Sequence, residues 1–340
     1  MSLFPYFEHL TPKSFETTWT SPSNIAFIKY WGKKGHQLPA NPSLSMTLKE
    51  CTSTTKVFFA PSDSLEVELF LEGIKEDKFA LKIKNYLLSL SDFPWLSRHS
   101  IRIETQNTFP HGTGIASSAS GLSAFALCLT EYLFHLAPEK ADFFQTASYF
   151  SRLASGSACR SVYGGFTTWG KESDEYATPF EVHGDMKELK DTILVIDESE
   201  KKVSSTTGHG RMAEHFFAKA RFDQARNHFG LMTSALQGGD FELMGEILES
   251  EALSLHGMMM TSPTPYILLK PNSLVAMEMI RAFRQETKLP LYFTLDAGPN
   301  LHLIYPEDLS HKIQTFIHHE LSPLSLKVIE DERGEGPRKC

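Results

Sequence analysis

The stretch from Pro110 to Gly121, PHGTGIASSASG, runs straight into a segment whose apolar residues recur at Ile115, Ala119, Leu122, Ala126, Leu129 and Leu133. Steps of four and three over that length mark a buried helical face. The run in front of it is built from residues without bulk. Gly112 and Gly114 let the backbone turn tightly and approach a ligand with no Cβ in the way. Ala116, Ser117, Ser118 and Ala119 then leave exposed N–H groups at a helix start, where the partial positive charge favours phosphate. Ser117 and Ser118 add hydroxyls able to donate to phosphate oxygens or to ligate a magnesium ion. No GxxxxGK[ST] occurs in the chain, so this is not a Walker loop. Taken alone, the same residues would also suit a helix start packed closely on a sheet.

The remaining pattern is that of a mixed α/β chain. Short β-branched or aromatic runs at 54–59, 65–70 and 101–105, separated by Pro, Ser, Asp and Gly, predict strands. The spacing predicts helices over 78–89 and 143–154, a buried strand at 192–196, and helices over 211–237, 240–256 and 273–286. Two strands, 291–295 and 301–304, follow, joined by Asp-Ala-Gly-Pro-Asn. We expect a boundary near 185–190 that separates an N-terminal lobe (1–187) from a C-terminal lobe (188–330). A charged, Gly-containing tail (331–340) is expected to pack weakly.

Composition narrows the function classes. With 41% hydrophobic and 22% charged residues among 340, the chain can bury a sizeable core. Its net charge of −8 argues against a nucleic-acid partner. The four cysteines form no CxxC pair, which speaks against a disulfide framework or zinc site and fits a reducing cytoplasm. The first residues lack a basic, apolar leader, and no stretch approaches the roughly 20 apolar residues needed to cross a bilayer. No nucleophile elbow and no HExxH motif is present, and the histidines in HKIQTFIHH (311–319) read as solvated.

Three further segments carry chemistry. In SNIAFIKYWGKKGHQLPANPSLSMTL (23–48), Lys29, Lys33 and Lys34 cluster around Tyr30 and Trp31, a local basic patch suited to a multiply charged anion within an acidic protein. In SGSACRSVYGGF (155–166), small hydroxyls and amides from Ser155, Gly156 and Ser157 surround Arg160. Its planar guanidinium can hold a carboxylate with two parallel hydrogen bonds, which lysine cannot. In YFTLDAGPN (292–300), Asp296 ends an apolar strand beside a Gly-containing turn, a placement used both by catalytic acids and by ordinary turns.

Together these segments resemble a known family. Pro110, Gly114, Ser117, Ser118 and Ala119 match the phosphate loop of the GHMP small-molecule kinases. The NIAxxKYWGK string (Asn24 to Lys33), the turn Pro39, Asn41, Ser43, Leu44, Ser45, the SGSACRSxYGGF segment and the TxDAGPN segment resemble mevalonate-diphosphate decarboxylases. The matches keep the family's order over residues 23–300. A looser one, VSSTTGH (203–209), resembles a segment usually written SSTxGM, or with Arg in place of the Thr; Thr206 takes the first of these forms, His209 departs from both, and the KGHQL loop is shorter than the family's.

The resemblance implies an α+β, two-lobed GHMP-kinase-type fold with its cleft between the lobes. It implies ATP-dependent decarboxylation of mevalonate 5-diphosphate, with ATP and Mg²⁺ as cofactors and a homodimeric assembly. By the same resemblance Asp296, Lys29 and Arg160 are catalytic, and the 112–118 loop holds ATP. Asn24, Tyr30, Lys33, Ser155, Gly156, Ser157, Arg160, Ser204 and Ser205 bind substrate. A kinase that stops at the 3-phosphate, a decarboxylase of the 5-monophosphate and a non-catalytic nucleotide sensor remain as alternatives.

Overall fold

The computed structural model describes residues 10–110, 117–138, 141–199 and 203–340. Gly112, Gly114, Ile115 and Ala116 therefore lie outside the described residues. In chain order the elements are β1 (Phe15–Ile28), β2 (Lys33–Lys34), β3 (Leu38–Pro39), β4 (Ser43–Pro61), β5 (Glu66–Leu71), β6 (Ile74–Lys75) and α1 (Asp77–Ser89). Next come β7 (His99–Asn107), α2 (Ser117–Leu136), α3 (Phe143–Ala154), β8 (Phe166–Trp169), β9 (Thr178–Phe180) and β10 (Leu189–Val195). The C-terminal part holds α4 (Ser205–Arg211), α5 (Ala218–Gly238), α6 (Phe241–Met260) and α7 (Pro271–Thr287). It continues with β11 (Tyr292–Thr294), β12 (Leu301–Pro306), α8 (Ser310–Phe316), β13 (Lys327–Glu332) and β14 (Arg338–Lys339).

Two sheets organise the chain. The larger has eight strands in the order β14-β1-β4-β7-β5-β6, with β8 and β9 branching from β4; the smaller runs β11-β12-β10-β13. α2 packs on β1, β4 and α3, and its apolar residues Phe125, Leu129 and Leu133 join Val57, Phe59, Ile101 and Ile103 of the sheet in one core. α2 is long and apolar enough to cross a membrane by length and composition, contrary to the sequence expectation. Its burial between sheet and helix accounts for that composition, because a helix covered on most sides needs no polar face.

A second core crosses from one sheet to the other. Ile25, Phe27 and Met46 of the large sheet meet Ile193, Val195 and Ile304 of the small one, sealed by Phe229 and Met232 of α5 and by Met244 and Leu248 of α6. α3 and α6 start on side-chain caps, Asp142 accepting from the Gln145 amide and Asp240 from the Leu243 amide. The helix expected over 211–237 is broken at Met212–Glu214 and restarts at Ala218; the buried His215, whose Nε2 lies 3.0 Å from the Met258 carbonyl, holds the break.

The tail also differs from expectation. β14 pairs with β1, and the buried Asp331 accepts from the backbone amides of Lys49, Glu50 and Cys51. Gly334 lies so close to the Leu48 carbonyl that a Cβ would stand 2.3 Å from its oxygen. Glycine in this tail marks a close backbone approach rather than looseness. The four cysteines are free thiols, Cys51, Cys128 and Cys159 buried and Cys340 exposed.

β1 positions the site. Every residue from Trp19 to Gly32 is buried, the polar Ser21, Ser23, Asn24 and Lys29 included. Its pairing with β4 is irregular at Pro22/Asn24 and again at Ala26/Ile28. Such irregularities bend a strand and re-aim its side chains, here just before the chain leaves the sheet at Lys29.

Candidate active site

The centre of the site is a salt bridge. Lys29 Nζ, 1% exposed, lies 2.8 Å from Asp296 Oδ1, whose side chain is 27% exposed. Lysine from the end of β1 and aspartate from the β11–β12 turn thus meet across 267 residues of sequence. Lys29 Nζ also donates to the Ala26 carbonyl at 2.7 Å. Its main-chain N–H is held by Glu251 of α6 at 2.9 Å. Glu251 is fully buried and ion-paired with Arg221, with His228 Nδ1 at 2.8 Å. On the other side of Asp296, His256 Nε2 lies 3.1 Å from its carbonyl oxygen. One helix, α6, therefore fixes the two backbones that carry the pair, and α5 braces it through Arg221 and His228.

Burial works to raise the Asp296 carboxyl, but the Lys29 charge and hydrogen bond outweigh it. With smaller help from His302 and Arg160 they hold it below the ordinary carboxylate value. For Lys29 burial wins, and its ammonium is pulled below the usual lysine value despite the carboxylates of Asp296 and Glu251.

Arg160 lies in a short 3-10 helix, Gly156–Val162, and is 3% exposed. Its Nη1 donates to Ser43 Oγ at 2.5 Å and its Nη2 to Asn24 Oδ1 at 3.4 Å, while its buried Nε has no partner among the described residues. Asn24 in turn donates to Ser161 Oγ at 2.7 Å and, at 3.5 Å, to the Ser157 carbonyl. The Asn24 amide is thus committed to holding the guanidinium and its helix. Tyr30 is 8% exposed, and its hydroxyl is likewise buried and unpartnered among the described residues. It presses on Gly156, where a Cβ would lie 2.7 Å from the tyrosine oxygen. A side chain at 156 would push Tyr30 out of place.

A second cleft opens between α2 and the β5–β7 edge of the sheet. Leu69, Leu71, Phe79, Ile83, Ile103, Leu122 and Phe125 give it apolar walls, and Thr55, Thr105, Asn107 and Lys82 give it polar edges. Ser117 and Ser118 line it at the start of α2. Burial, reinforced by the nearby Lys82, lowers the Lys33 ammonium. The two lysines are close enough to feel each other.

Residues 21–179 match the family model for the diphosphomevalonate decarboxylase-like N-terminal domain. Residues 192–335 match that for the mevalonate 5-diphosphate decarboxylase C-terminal domain. The chain belongs to the mevalonate diphosphate decarboxylase family. Among curated relatives, the diphosphomevalonate decarboxylase of Candida albicans is 30% identical over 88% of this chain and 86% of its own. Among solved structures, the mevalonate diphosphate decarboxylase from Enterococcus faecalis has 31% identity and a TM-score of 0.84, covering 96% of this chain and 99% of the other. A complex described as MDDEF with MVAPP, AMPPCP and magnesium has 32% identity and a TM-score of 0.85, with the same coverage. The fold is the family's α+β fold.

Within that family frame, Asn24, Lys29, Tyr30, Arg160 and Asp296 form one cluster, Lys29 paired with Asp296, Asn24 with Arg160, and the Arg160 charge felt by Lys29, Tyr30 and Asp296; Gly156 and Ser157 pack behind Tyr30 and Asn24. Ser155 ends α3, its amide bonded to the Ser151 carbonyl. Ser204 and Ser205 stand exposed at the start of α4, and Ser204 Oγ is engaged by the Thr207 amide as the helix cap. No described contact joins them to the cluster.

Sequence reading missed Ser43, Glu251, Arg221, His228 and Lys82. Glu251 carries a signal. It interrupts the apolar face Met244, Leu248, Ala252, Leu255 of α6, and a carboxylate on a buried helical face needs a cationic partner.

Proposed function

We infer that the Lys29–Asp296 pair and Arg160 carry out ATP-dependent decarboxylation of mevalonate 5-diphosphate to isopentenyl diphosphate, with ADP, phosphate and CO₂ as the other products. The supporting observation is the triad itself, a carboxylate kept ionised beside a buried ammonium, with a buried guanidinium whose Nε–H has no acceptor among the described residues. The 3-hydroxyl oxygen bonds to the γ-phosphorus of ATP as the bond to ADP breaks, and Asp296 receives or orients the hydroxyl proton. Lys29 offsets the negative charge that gathers there. Phosphoryl transfer otherwise rests on positioning and charge neutralisation. The C3–O bond then breaks, its electron pair leaving with phosphate. The C1–C2 pair of the carboxylate forms the new C2=C3 bond as CO₂ departs. Arg160, aimed by Ser43 and Asn24, holds that carboxylate in line with the breaking C–O bond.

For the nucleotide, the apolar cleft walled by Leu69, Phe79, Ile103 and Phe125 suits a flat base, and the start of α2 at Ser117 and Ser118 suits its phosphates. Among the described residues there is no cluster of three His, Cys, Asp or Glu side chains able to hold a metal. Magnesium would accordingly be held by the nucleotide's phosphates and the Ser117 and Ser118 hydroxyls. Tyr30 and Lys33 take the 5-diphosphate. A cytoplasmic location is supported by the four free thiols. The homodimer implied by the family resemblance is testable by sedimentation.

The deciding experiment supplies MgATP with mevalonate, its 5-phosphate or its 5-diphosphate. ADP and CO₂ appear together only with the 5-diphosphate. ADP without CO₂ would make the protein a kinase.

A further inference from the structure

The family segment SSTxGM ends here in histidine, and that histidine is built into the site. His209 on α4 is 8% exposed, its ring centroid 4.4 Å from that of Tyr30 and 4.6 Å from that of Trp31. The helix is seated against Trp31 by Gly208, where a Cβ would meet the indole at 2.5 Å. The Gly32 N–H donates to His209 Nδ1 at 3.0 Å. That bond fixes the tautomer, because a nitrogen that accepts carries no proton, so the neutral ring has its hydrogen on Nε2. Burial, and then the nearby charges of Lys33 and Arg160, push the imidazole down to about 3, so the ring is neutral at physiological pH.

Among the described residues the ring's one hydrogen bond is that Nδ1 contact with Gly32, and two neighbouring donors, the Tyr30 hydroxyl and Arg160 Nε, are buried without an acceptor there. Donors gathered in one place beside two cations, their hydrogens unclaimed among the described residues, describe the complement of an anion. We propose that His209 is a specificity-determining residue whose Nε2–H donates to the diphosphate end of the substrate, beside Tyr30 and Lys33. This rests on the assignment of Tyr30 and Lys33 to the diphosphate. A methionine at 209 could fill the same volume but offers no N–H. A neutral imidazole adds a directed hydrogen bond without adding charge to a site that already holds lysine and arginine.

Steady-state kinetics of four variants tests the idea, with KM for ATP as the internal control. A glutamine side chain places its amide where Nε2 lies, whereas asparagine reproduces the Nδ1 position. A hydrogen bond to a charged group corresponds to about 10- to 100-fold in affinity. His209→Met and His209→Asn are therefore expected to raise KM for mevalonate 5-diphosphate at least about 10-fold, with kcat and the ATP KM little changed. His209→Gln should recover most of that loss. If His209→Asn behaves as wild type while His209→Gln is impaired, the ring serves only Gly32 and the proposal is overturned. A parallel rise in both KM values likewise assigns His209 to packing alone. Tyr30→Phe reports on the underlying assignment. If it raises the diphosphate KM while the His209 variants do not, only the His209 proposal fails; if it is also silent, the assignment of this pocket fails with it.

Discussion

Asp296→Asn is the most searching perturbation of this site, because it removes a charge and keeps the shape. Lys29 would then be a buried ammonium without its counter-ion. Breaking a buried ion pair from one side commonly costs about 3–5 kcal/mol. Two features reduce that here. Asp296 is 27% exposed, so water screens the vacated side, and Lys29 Nζ keeps the Ala26 carbonyl at 2.7 Å. An asparagine Oδ1 also still accepts from the ammonium. We therefore expect a stability loss of about 1–2 kcal/mol, a folded protein with a lowered denaturation midpoint.

Activity should fall much further. Loss of a positioned proton acceptor removes about 10²–10⁴-fold, and the charge beside Lys29 is lost with it. Turnover of Asp296→Asn is expected at or below about 10⁻³ of wild type by ADP release and CO₂ evolution, while calorimetric MgATP binding persists. Adding Lys29→Met to this variant should restore part of the stability and none of the turnover, since the two groups act as a unit. The reasoning is refuted if folded Asp296→Asn turns over within about tenfold of wild type, or if the double variant is more active than the single one.

Three further outcomes follow from the same geometry. The acid limb of kcat/KM should lie below the free-carboxylate value of 3.8 and the alkaline limb below the free-lysine value of 10.5, because Asp296 and Lys29 are both lowered. An acid limb near neutrality would remove Asp296 as the ionised acceptor. For stability the two shifts act at opposite ends. The Asp296 contribution is present above the unfolded carboxylate value and lost as pH falls through the folded one. The Lys29 penalty is relieved as pH rises from its folded value towards 10.5. Leu122→Trp, which fills the apolar cleft beside α2, should raise KM for ATP about 10-fold or more and leave binding of mevalonate 5-diphosphate unchanged, measured by calorimetry. Gly208→Ala puts a methyl 2.5 Å from Trp31, so overpacking of about 1–3 kcal/mol should lower the melting midpoint.

Much of this site was legible because its residues stand in unusual company. Lysines flanking Tyr30-Trp31 in an acidic chain, an arginine among serines and glycines, and an acid at the end of an apolar strand each break the local rule for their surroundings. The supports were less legible. Ser43 reads as one serine among several, and nothing local to Arg221 or His228 announces that both reach one carboxylate on α6. The tail misled because charge and glycine correlate with loose termini. Here Asp331 collects three backbone amides, and the glycine permits a strand-like approach. Helix periodicity over 211–237 hid a break, since a buried histidine at 215 satisfies the backbone on both sides of it and leaves the apolar spacing almost undisturbed.

The placement of the charges explains why the site needs so deep a foundation. On the reading proposed above, three cations, Lys29, Arg160 and Lys33, meet a substrate that brings a carboxylate and a diphosphate, and each loses hydration by being buried or half-buried. Without substrate that arrangement is held against both desolvation and mutual repulsion. Asp296 offsets one charge directly. Glu251 acts from below, within reach of the Lys29 ammonium, but its own two oxygens are already occupied by Arg221 and His228. It therefore fixes the Lys29 backbone without drawing the ammonium away from Asp296. Arg160 has no carboxylate partner among the described residues and is held only by the neutral Ser43 and Asn24. On the proposed reading this leaves its Nε–H, unpartnered among the described residues, for the substrate carboxylate that departs as CO₂. An acidic residue at 24 or 43 would hold the guanidinium more firmly and leave it less to offer the substrate.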